Sequence, residues 1–314
     1  METNGIFLSV VICTFRRPGY LSQALKSLTQ QDWNCKEGWE VVVVENDNVA
    51  FPGVAVILKE YAAKLPLRYF FLPIPNLSRA RNLGAEVARG EYLAYLDDDV
   101  ELTTSWLSAV INGCREYNPD FCGGPSLALF KTERPYWFRE SYGSVYMYGD
   151  KPRVLSAGEY LGGMNFIVRR YLIKFLGGFR EDLAMTAYRL RWGDDSELLQ
   201  RAREVMPDLK VQYLPDAAVL HSVRPEKMTI SWQFKSAYTK EISTRLWNPS
   251  KNSRLRSSLS LVRSLFFLFI KIPGLLLVIV LDTFRPHRTL WQRYVKENIL
   301  TNIVKILIFF KRLF

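Results

Sequence analysis

Apolar runs of strand length alternate with segments of helical spacing along the first hundred residues. The strand-like runs lie at residues 6–13, 40–48, 67–72 and 91–100. Segments whose apolar residues recur at helical spacing lie at residues 20–30, 54–65 and 76–89. Runs that are apolar on both faces are typical of central parallel strands covered by helices. The alternation therefore predicts an α/β fold, with a sheet whose strands are joined by right-handed crossovers.

Polar and acidic residues follow three of these strands directly, at residues 14–17, 45–48 and 97–99. In parallel sheets of α/β proteins, ligands bind outside the carboxyl ends of the strands. No GxGxxG motif and no Walker lysine loop follows any of the strands, so the usual dinucleotide and P-loop fingerprints are absent. The pattern predicts a nucleotide site in which something other than a glycine-rich loop neutralises the phosphates.

Asp97, Asp98 and Asp99 end the fourth predicted strand. Because strand side chains alternate between faces, we expect Asp97 and Asp99 to point one way and Asp98 the other. Two carboxylates on one face repel each other unless a cation lies between them, and such oxygen ligands suit Mg²⁺ or Mn²⁺. Taken alone, the triplet is equally compatible with a solvated turn that caps the next helix. Its position beside the other polar strand ends favours the cation site.

Eight short motifs occur in the order found in one enzyme family, at residues 10–17, 43–47, 78–84, 95–99, 162–170, 177–181, 192–198 and 213–221. Over about residues 6–225 the chain resembles bacterial-type, membrane-associated family 2 glycosyltransferases with the GT-A fold. The resemblance implies a nucleotide-diphospho-sugar transferase fold, which is a Rossmann-like mixed sheet flanked by helices.

The same resemblance implies residues that bind the sugar donor. Thr14, Arg16 and the region of Glu45 and Asp47 would hold the base and ribose of a nucleotide-diphosphate sugar. Arg81, in the first turns of its helix, would reach the diphosphate or the acidic triplet. A strand-end turn at Glu45 to Asp47 and a solvated helix charge at Arg81 are the open alternatives.

A metal ion is also implied, as Mn²⁺ or Mg²⁺. Asp99 and Asp97 would bind it, while Asp98 would lie nearer the ribose or sugar. His221, which ends a strand-like run, would complete the metal shell or touch the diphosphate. A purely structural histidine is the alternative at that position.

Asp194 and Asp195 precede a predicted helix over residues 196–205. Their carboxylates would be favoured there by the helix N-terminus, and plain capping would place them equally well. An acceptor hydroxyl must lose its proton as it attacks a sugar, and a positioned carboxylate can take that proton. The resemblance implies that Asp195 is this catalytic base and that Asp194 stands beside it.

Residues 130–160 are rich in aromatic side chains and follow neither period for long. A loop of this length in a compact domain is usually functional. We interpret it as a flap on the acceptor side, with five aromatic residues available for stacking on sugar or lipid: Trp137, Phe138, Tyr142, Tyr146 and Tyr148. Packing of these rings onto the sheet is the alternative.

Positive charge is concentrated at the C-terminal end. Residues 251–314 carry twelve Lys or Arg and two acidic residues, whereas the rest of the chain is almost neutral. Such a segment can bind nucleic acid or an anionic membrane surface. Because residues 264–281 and 299–314 are also strongly apolar, we expect a membrane partner and no nucleic acid. We predict a transferase domain at residues 1–225, a helical connector at 226–256 and a membrane-associated tail at 257–314.

Lys271 and the pair Pro273-Gly274 interrupt the first apolar segment. The pattern favours a kinked hairpin or in-plane helices on the cytoplasmic face of the cell membrane. A single span remains an alternative, as does a soluble helical tail that packs on the domain or forms a homo-oligomer. Four cysteines without CxxC spacing predict reduced thiols in the cytoplasm. The first residues lack a basic n-region, so we expect no secretory signal.

Together these features predict an inverting, metal-dependent glycosyltransferase that acts on a lipid or saccharide acceptor at the membrane. Residues 200–203 are followed by Glu204, so the Gln-x-x-Arg-Trp signature of processive synthases is missing and one sugar per event is expected. The alternatives are a nucleotidyltransferase and a non-catalytic nucleotide-sugar binding protein.

Overall fold

Strands and helices alternate through the first part of the structure, as the apolar pattern predicts. The computed structural model describes residues 5–32, 38–248, 254–283 and 290–311, without the side chains of residues 254–258. The strands are β1 Ile6–Thr14, β2 Gly38–Asn46, β3 Leu67–Leu72, β4 Tyr92–Asp97, β5 Val100–Leu102, β6 Phe121–Gly123, β7 Ser126–Leu129, β8 Arg153–Val154, β9 Asn165–Arg169, β10 Val211–Tyr213 and β11 Val219–Ser222. The helices are α1 Pro18–Thr29, α2 Pro52–Tyr61, α3 Leu77–Val87, α4 Trp106–Tyr117, α5 Arg170–Phe175, α6 Asp194–Val205, α7 Ile230–Trp247, α8 Arg254–Thr283, α9 Leu290–Tyr294 and α10 Leu300–Lys311.

The main sheet has the strand order β3-β2-β1-β4-β9-β6-β10-β8, and a second sheet has the order β5-β11-β7. Strands β1, β2, β3 and β4 are mutually parallel, whereas β9 runs antiparallel to both β4 and β6. The order reverses between β1 and β4, and ligands in open α/β sheets bind at such a switch point. The mixed α/β sheet flanked by helices confirms the predicted fold class.

The inner strands are buried on both faces, which explains their unbroken apolar sequence. Val10 and Ile12 of β1 face one hydrophobic core, and Val11 faces the other. Helix α3 lies very close to β1, because a Cβ atom on Gly84 would be only 2.4 Å from Cγ1 of Val11. A side chain at this position would therefore push α3 away from the sheet. Helix α3 carries Arg79 and Arg81 of the motif at residues 78–84.

Contacts divide the described chain into two units, one at residues 1–129, 143–189 and 194–222 and the other at residues 130–142, 190–193 and 223–314. The first unit contains both sheets. These two units interleave along the sequence and do not test the predicted three-part division, which stays a prediction. Of the predicted thiols, Cys13, Cys114 and Cys122 are free and buried, and Cys35 lies outside the described residues.

The second unit is helical. Leu300, Val304 and Ile308 of α10 pack against α7, and α10 also packs against α8. Helix α8 continues through Pro273 and Gly274, so the chain does not turn back at that point. By length and composition, the part of α8 at Leu259–Thr283 is the one helix in the described chain that could cross a membrane. Its mean hydropathy is 2.6, and 6% of its most apolar 18-residue stretch is buried inside the protein.

The predicted aromatic flap is divided between the two units. Trp137, Phe138 and Tyr142 belong to the second unit and pack edge-on against one another, with Trp137 and Phe138 buried. The hydroxyl of Tyr142 donates a hydrogen bond to Glu297. Tyr146 and Tyr148 belong to the first unit. Three of the five aromatics therefore have structural partners within the helical unit, while their role toward an acceptor stays a prediction.

Candidate functional site

The acidic triplet begins where β4 ends. Because Asp97 is the last residue of β4, strand alternation does not extend to Asp98 and Asp99, which lie in the following turn. The prediction that Asp97 and Asp99 share one face and Asp98 lies on the other is therefore wrong, as the ion pairs of the three carboxylates indicate. Asp97 pairs with Arg81, whereas Asp98 and Asp99 share Arg17 at 3.3 and 3.9 Å.

Asp98 joins the ends of β1 and β4. Thr14, the last residue of β1, donates its Oγ1 hydrogen to Oδ2 of Asp98 at 2.8 Å, and Arg17 donates to Oδ1. Burial raises the pKa of Asp98 to about 7, against the opposing charge of Arg17, and Asp99 adds to the rise. A buried carboxyl at this strand end can therefore change protonation when a charged ligand arrives.

Asp99 and His221 form the second contact of the turn. Strand β11 pairs with β5, which sets Nε2 of His221 3.3 Å from Oδ1 of Asp99. Among the described residues no group of three or more His, Cys, Asp or Glu side chains is arranged to hold a metal by itself. A Mg²⁺ or Mn²⁺ ion that also binds phosphate needs only one or two protein carboxylates. The pair of Asp99 and His221 fits that smaller requirement.

Arg81 lies buried in a second group of acidic side chains. Its guanidinium donates to Asp194 at 2.8 Å, to Asp97 at 3.2 Å and to the carbonyl oxygen of Gly163 at 3.4 Å. Burial alone would lower the pKa of Arg81, but Asp194 and Asp97 raise it, so the guanidinium stays charged. Ser78, one helical turn before Arg81, donates to the same oxygen of Asp194 at 2.9 Å.

Asp195 stands beside this group, in the first turn of α6. The backbone N–H of Gly163 donates to its Oδ2 atom at 2.5 Å, and the N–H of Ser196 donates to Oδ1 at 2.6 Å. Burial, and next the charge of Asp194, raise the pKa of Asp195 above its usual range. A carboxylate that is oriented by two backbone groups and made more basic by its surroundings can accept a proton.

Glu45 and Asp47 at the end of β2 already have partners. Oε1 of Glu45 accepts from the N–H of Phe51 at 2.6 Å, and Oε2 accepts from the hydroxyl of Tyr69 at 2.6 Å. Asp47 accepts two bonds from Arg16, at 2.5 and 3.0 Å. These carboxylates shape the strand end, and their contact with a nucleotide stays a prediction.

Four residues contribute to the site without having been predicted as site residues. Arg17, Ser78 and the backbone of Gly163 hold the predicted carboxylates, and the adjacent Gly162 supports the ring of Tyr146. Ser78 and Arg81 are three residues apart in a predicted helix, so the sequence alone indicates that they lie on the same helix face. The others depend on which strands become neighbours.

Family and sequence comparisons identify proteins to which this chain is similar. The model of glycosyl transferase family 2 matches residues 9–177. The succinoglycan biosynthesis protein ExoM of Rhizobium meliloti is 25% identical over 243 residues, which cover 76% of this chain and 74% of that protein. A GalNAc(5)-diNAcBac-PP-undecaprenol beta-1,3-glucosyltransferase of Campylobacter jejuni is 31% identical over 113 residues, which cover 35% of each chain.

Solved structures share the fold. S. aureus TarS 1–349 in complex with UDP-GlcNAc has a TM-score of 0.56 at 19% identity, covering 77% of this chain and 68% of that one. The mannosyltransferase PcManGT from Pyrobaculum calidifontis, in complex with GDP-Man and Mn²⁺, has a TM-score of 0.59 at 17% identity, covering 96% and 86%. At these identities the likeness concerns the GT-A fold alone. Because the family match spans more than half of its 314 residues, the chain belongs to glycosyl transferase family 2.

Proposed function

We propose that the protein is an inverting, metal-dependent glycosyltransferase that moves one sugar per event from a nucleotide-diphosphate sugar to an acceptor hydroxyl. One observation carries the proposal. The partly buried carboxylate of Asp195 lies beside the network in which Arg81 connects Asp194 to Asp97, at the carboxyl end of β4. A proton acceptor thus stands next to the strand end where α/β sheets bind their ligands.

Asp195 acts as the general base. It takes the proton from the acceptor hydroxyl while the hydroxyl oxygen attacks the anomeric carbon and the bond to the diphosphate breaks. A single displacement of this kind inverts the anomeric configuration. The N–H groups of Gly163 and Ser196 hold the carboxylate in one orientation, which limits the loss of entropy in the reaction.

Arg81 holds the base in place in this mechanism. Its guanidinium donates to two carboxylates and one carbonyl oxygen, so its positive charge stabilises Asp194 and Asp97. Asp194, bonded to both Ser78 and Arg81, fixes the start of α6 and therefore the position of Asp195. Of the two expectations for Arg81, contact with the acidic triplet agrees with its bond to Asp97, and contact with the diphosphate stays a prediction.

Asp99 and His221 would hold Mn²⁺ or Mg²⁺, with Asp97 as a further ligand. When bound, the ion supplies positive charge that stabilises the leaving diphosphate. The complex of PcManGT with GDP-Man and Mn²⁺ supports the use of a divalent ion on this fold. Thr14, Arg16, Glu45, Asp47 and Asp98 line the neighbouring strand ends and are proposed to face the nucleotide and the sugar.

The acceptor is proposed to be presented at the cytoplasmic face of a membrane. Helix α8 has exposed Phe266, Phe269 and Leu277, and the basic residues of the tail suit anionic lipid. The name of the Campylobacter jejuni relative includes an undecaprenol diphosphate, which supports a lipid-linked acceptor. Packing of the exposed apolar side chains of α8 against a second copy of the chain is the alternative. A dimer that persists in detergent would favour this alternative.

Replacement of the base tests the proposal. We expect Asp195→Asn to lower sugar transfer and donor hydrolysis by about 10²- to 10⁴-fold, because the proton acceptor is lost. Donor affinity should be retained, because the proposed metal site at Asp99 and His221, and not Asp195, holds the diphosphate. The assay uses UDP-, GDP- and dTDP-sugars with Mn²⁺, with donor binding followed by thermal shift and product configuration followed by NMR.

Asp208→Asn is the matched control. Asp208 is an exposed carboxylate just after α6, so its loss should change neither transfer nor donor binding. Unchanged transfer by Asp195→Asn would remove Asp195 as the base. A protein that responds to no donor and to no divalent ion would overturn the proposed function as a whole, and a product that retains the donor's configuration would overturn inversion.

A further inference from the structure

Tyr146 adopts a backbone conformation that bulky residues rarely have. Its φ angle is +58°, in the left-handed region, where glycine and asparagine are the usual residues. Such a residue persists only when the surrounding structure holds it there, and residues of this kind cluster at ligand-binding sites. The strained backbone therefore marks Tyr146 as a candidate ligand-binding residue.

Both flanks of Tyr146 are fixed. Val145 exchanges two backbone hydrogen bonds with Ser126, at 2.9 and 3.0 Å. Two residues after Tyr146, the hydroxyl of Tyr148 donates to the carbonyl oxygen of Tyr160 at 2.9 Å. The chain is thus anchored immediately before and after the strained residue, which directs the ring of Tyr146 to one place.

That place is beside the proposed base. The ring lies so close to Gly162 that a Cβ atom there would be 2.3 Å from Cε2 of Tyr146. The next residue, Gly163, donates its N–H to Asp195, so the two glycines bring ring and base together. Burial, and next the charge of Asp195, raise the pKa of Tyr146, so its hydroxyl stays protonated and can donate a hydrogen bond.

The charge around the base selects the kind of acceptor. Asp97 and Asp194 both form their ion pairs with Arg81, and Asp195 adds a third carboxylate. Directly beside the carboxylates of Asp194 and Asp195, an anionic nucleophile such as a lipid phosphate meets repulsion. A neutral hydroxyl does not, and only a hydroxyl needs a base to remove its proton. An aromatic ring that carries a hydroxyl suits a sugar, which has apolar C–H faces and polar edges.

On the basis of the proposed function, we propose that Tyr146 is an acceptor-binding residue that holds a neutral sugar ring against Asp195. The group glycosylated is therefore a hydroxyl of a saccharide and not the phosphate of a lipid. The ring of Tyr146 packs on the acceptor sugar, and its hydroxyl fixes the rotation of that sugar so that one hydroxyl faces the base.

The test separates acceptor binding from donor chemistry. Tyr146→Ala and Tyr146→Phe are assayed with the donor found above, for hydrolysis by water and for transfer to octyl β-glycosides of several hexoses and to farnesyl phosphate. We expect Tyr146→Ala to raise the KM for the octyl glycoside about tenfold or more while donor hydrolysis and donor KM stay within about twofold. Tyr146→Phe should lie between it and the wild type. Tyr171→Ala, at an exposed tyrosine of α5, is the matched control and should match the wild type.

Several results would overturn this inference and leave the donor chemistry in place. They are an unchanged glycoside KM in Tyr146→Ala, a parallel loss of donor hydrolysis in that variant, and a wild-type enzyme that glycosylates farnesyl phosphate but no octyl glycoside. Hydrolysis of donor by a wild type that accepts no glycoside at all would count against it equally. Failure of donor cleavage in the wild type would instead remove the proposed function, on which Tyr146 depends.

Discussion

At the scale of single residues, Arg81 is the centre of the candidate site. It is buried, and its partners Asp97, Asp194 and Gly163 come from β4, α6 and the segment before β9. A buried charge that loses one partner is strongly destabilising, because the remaining charge is left without compensation. Arg81 and its two carboxylates therefore form one electrostatic unit whose members cannot be exchanged separately.

Substitution of Gly163 tests whether this unit controls the position of Asp195, the proposed base. In Gly163→Ala the new Cβ atom would lie 2.6 Å from an Arg81 guanidinium nitrogen and 3.0 Å from Oδ2 of Asp195. Because Arg81 is pinned between carboxylates, it cannot move away freely, and Asp195 must shift. We expect kcat to fall by about 10²-fold, the size of effect that a displacement of about 1 Å can have, with donor KM nearly unchanged.

Gly19→Ala is the control for this substitution. A Cβ atom on Gly19, in the first turn of α1, would meet nothing within 4 Å. This variant should keep the wild-type kcat. A Gly163→Ala protein that turns over at the wild-type rate would show that the contacts around Arg81 and Asp195 do not control the base.

At the scale of elements, the order of the first strands and helices was predicted, and their bounds differ by a few residues where proline or the acidic triplet sets them. Strand β3 covers the predicted residues 67–72. Helices α1 and α2 begin two residues earlier than apolar spacing predicts, at Pro18 and Pro52, because proline is favoured in the first helical turn. Strand β4 ends at Asp97, so the alternation argument could not be extended through the triplet.

The partners within the site could be predicted only in part. The polar strand ends and the pair Asp194-Asp195 were visible in the sequence, because parallel strands bring their carboxyl ends to one edge. The bond from Gly163 to Asp195 and the position of the Tyr146 ring were not, because they require β9 to lie between β4 and β6. That pairing joins residues far apart in the chain, and no local period encodes it.

A carboxylate at the opposite end of the strands makes an element-scale prediction about acid stability. Glu40 of β2 accepts hydrogen bonds from Ser9 of β1 at 2.8 Å, from the N–H of Arg89 at 2.7 Å and from Arg68 of β3 at 2.9 Å. Burial by itself would raise the pKa of Glu40, but the bonds from Arg68, Arg89 and Ser9 outweigh it, so the pKa lies below its ordinary 4.5. Its contribution to stability is therefore full above about pH 4.5 and is lost as the pH falls through the lower folded-state pKa.

We expect Glu40→Gln to lower the free energy of unfolding by about 1–3 kcal/mol at pH 7, since buried donors lose a charged acceptor. The difference from the wild type should shrink steadily below about pH 4.5. Urea unfolding at pH 7, 5, 4 and 3.5 measures it. Glu60→Gln, at an exposed glutamate paired with Lys64, should cost less than about 1 kcal/mol at every pH. A constant difference between Glu40→Gln and the wild type would contradict the linkage.

At the scale of the whole molecule, charge and apolar surface are separated along the chain. The first 250 residues are almost neutral and contain the sheets, whereas the last 64 carry most of the net charge of +11. Exposed apolar side chains are frequent on α8, including Phe266, Phe269, Leu276 and Leu277. A helix that exposes such side chains in a basic segment has the chemistry of a membrane-binding element.

Charged substitutions on α8 test whether this helix binds a membrane. We expect Phe269→Glu combined with Leu277→Glu to reduce co-sedimentation with phosphatidylglycerol–phosphatidylcholine vesicles about tenfold or more, because burying each carboxylate in lipid costs about 2 kcal/mol or more. Phe175→Glu, at an exposed aromatic at the end of α5, is the control and should sediment like the wild type. Undiminished binding by the α8 variant would mean that this helix does not enter the lipid.

The interleaving of the two units limits how the protein can be shortened. A polypeptide cut after Ser222 would keep residues 130–142 and 190–193 but lose the helices against which they pack. In the complete chain Trp192 donates its ring N–H to Thr239 of α7, and Arg293 donates to the carbonyl oxygen of Trp137. The truncated polypeptide would expose aromatic surface in the middle of its own sequence, and aggregation or proteolysis would follow. Inactivity after such a deletion would report a damaged fold, so a role of the membrane must be tested in the untruncated protein.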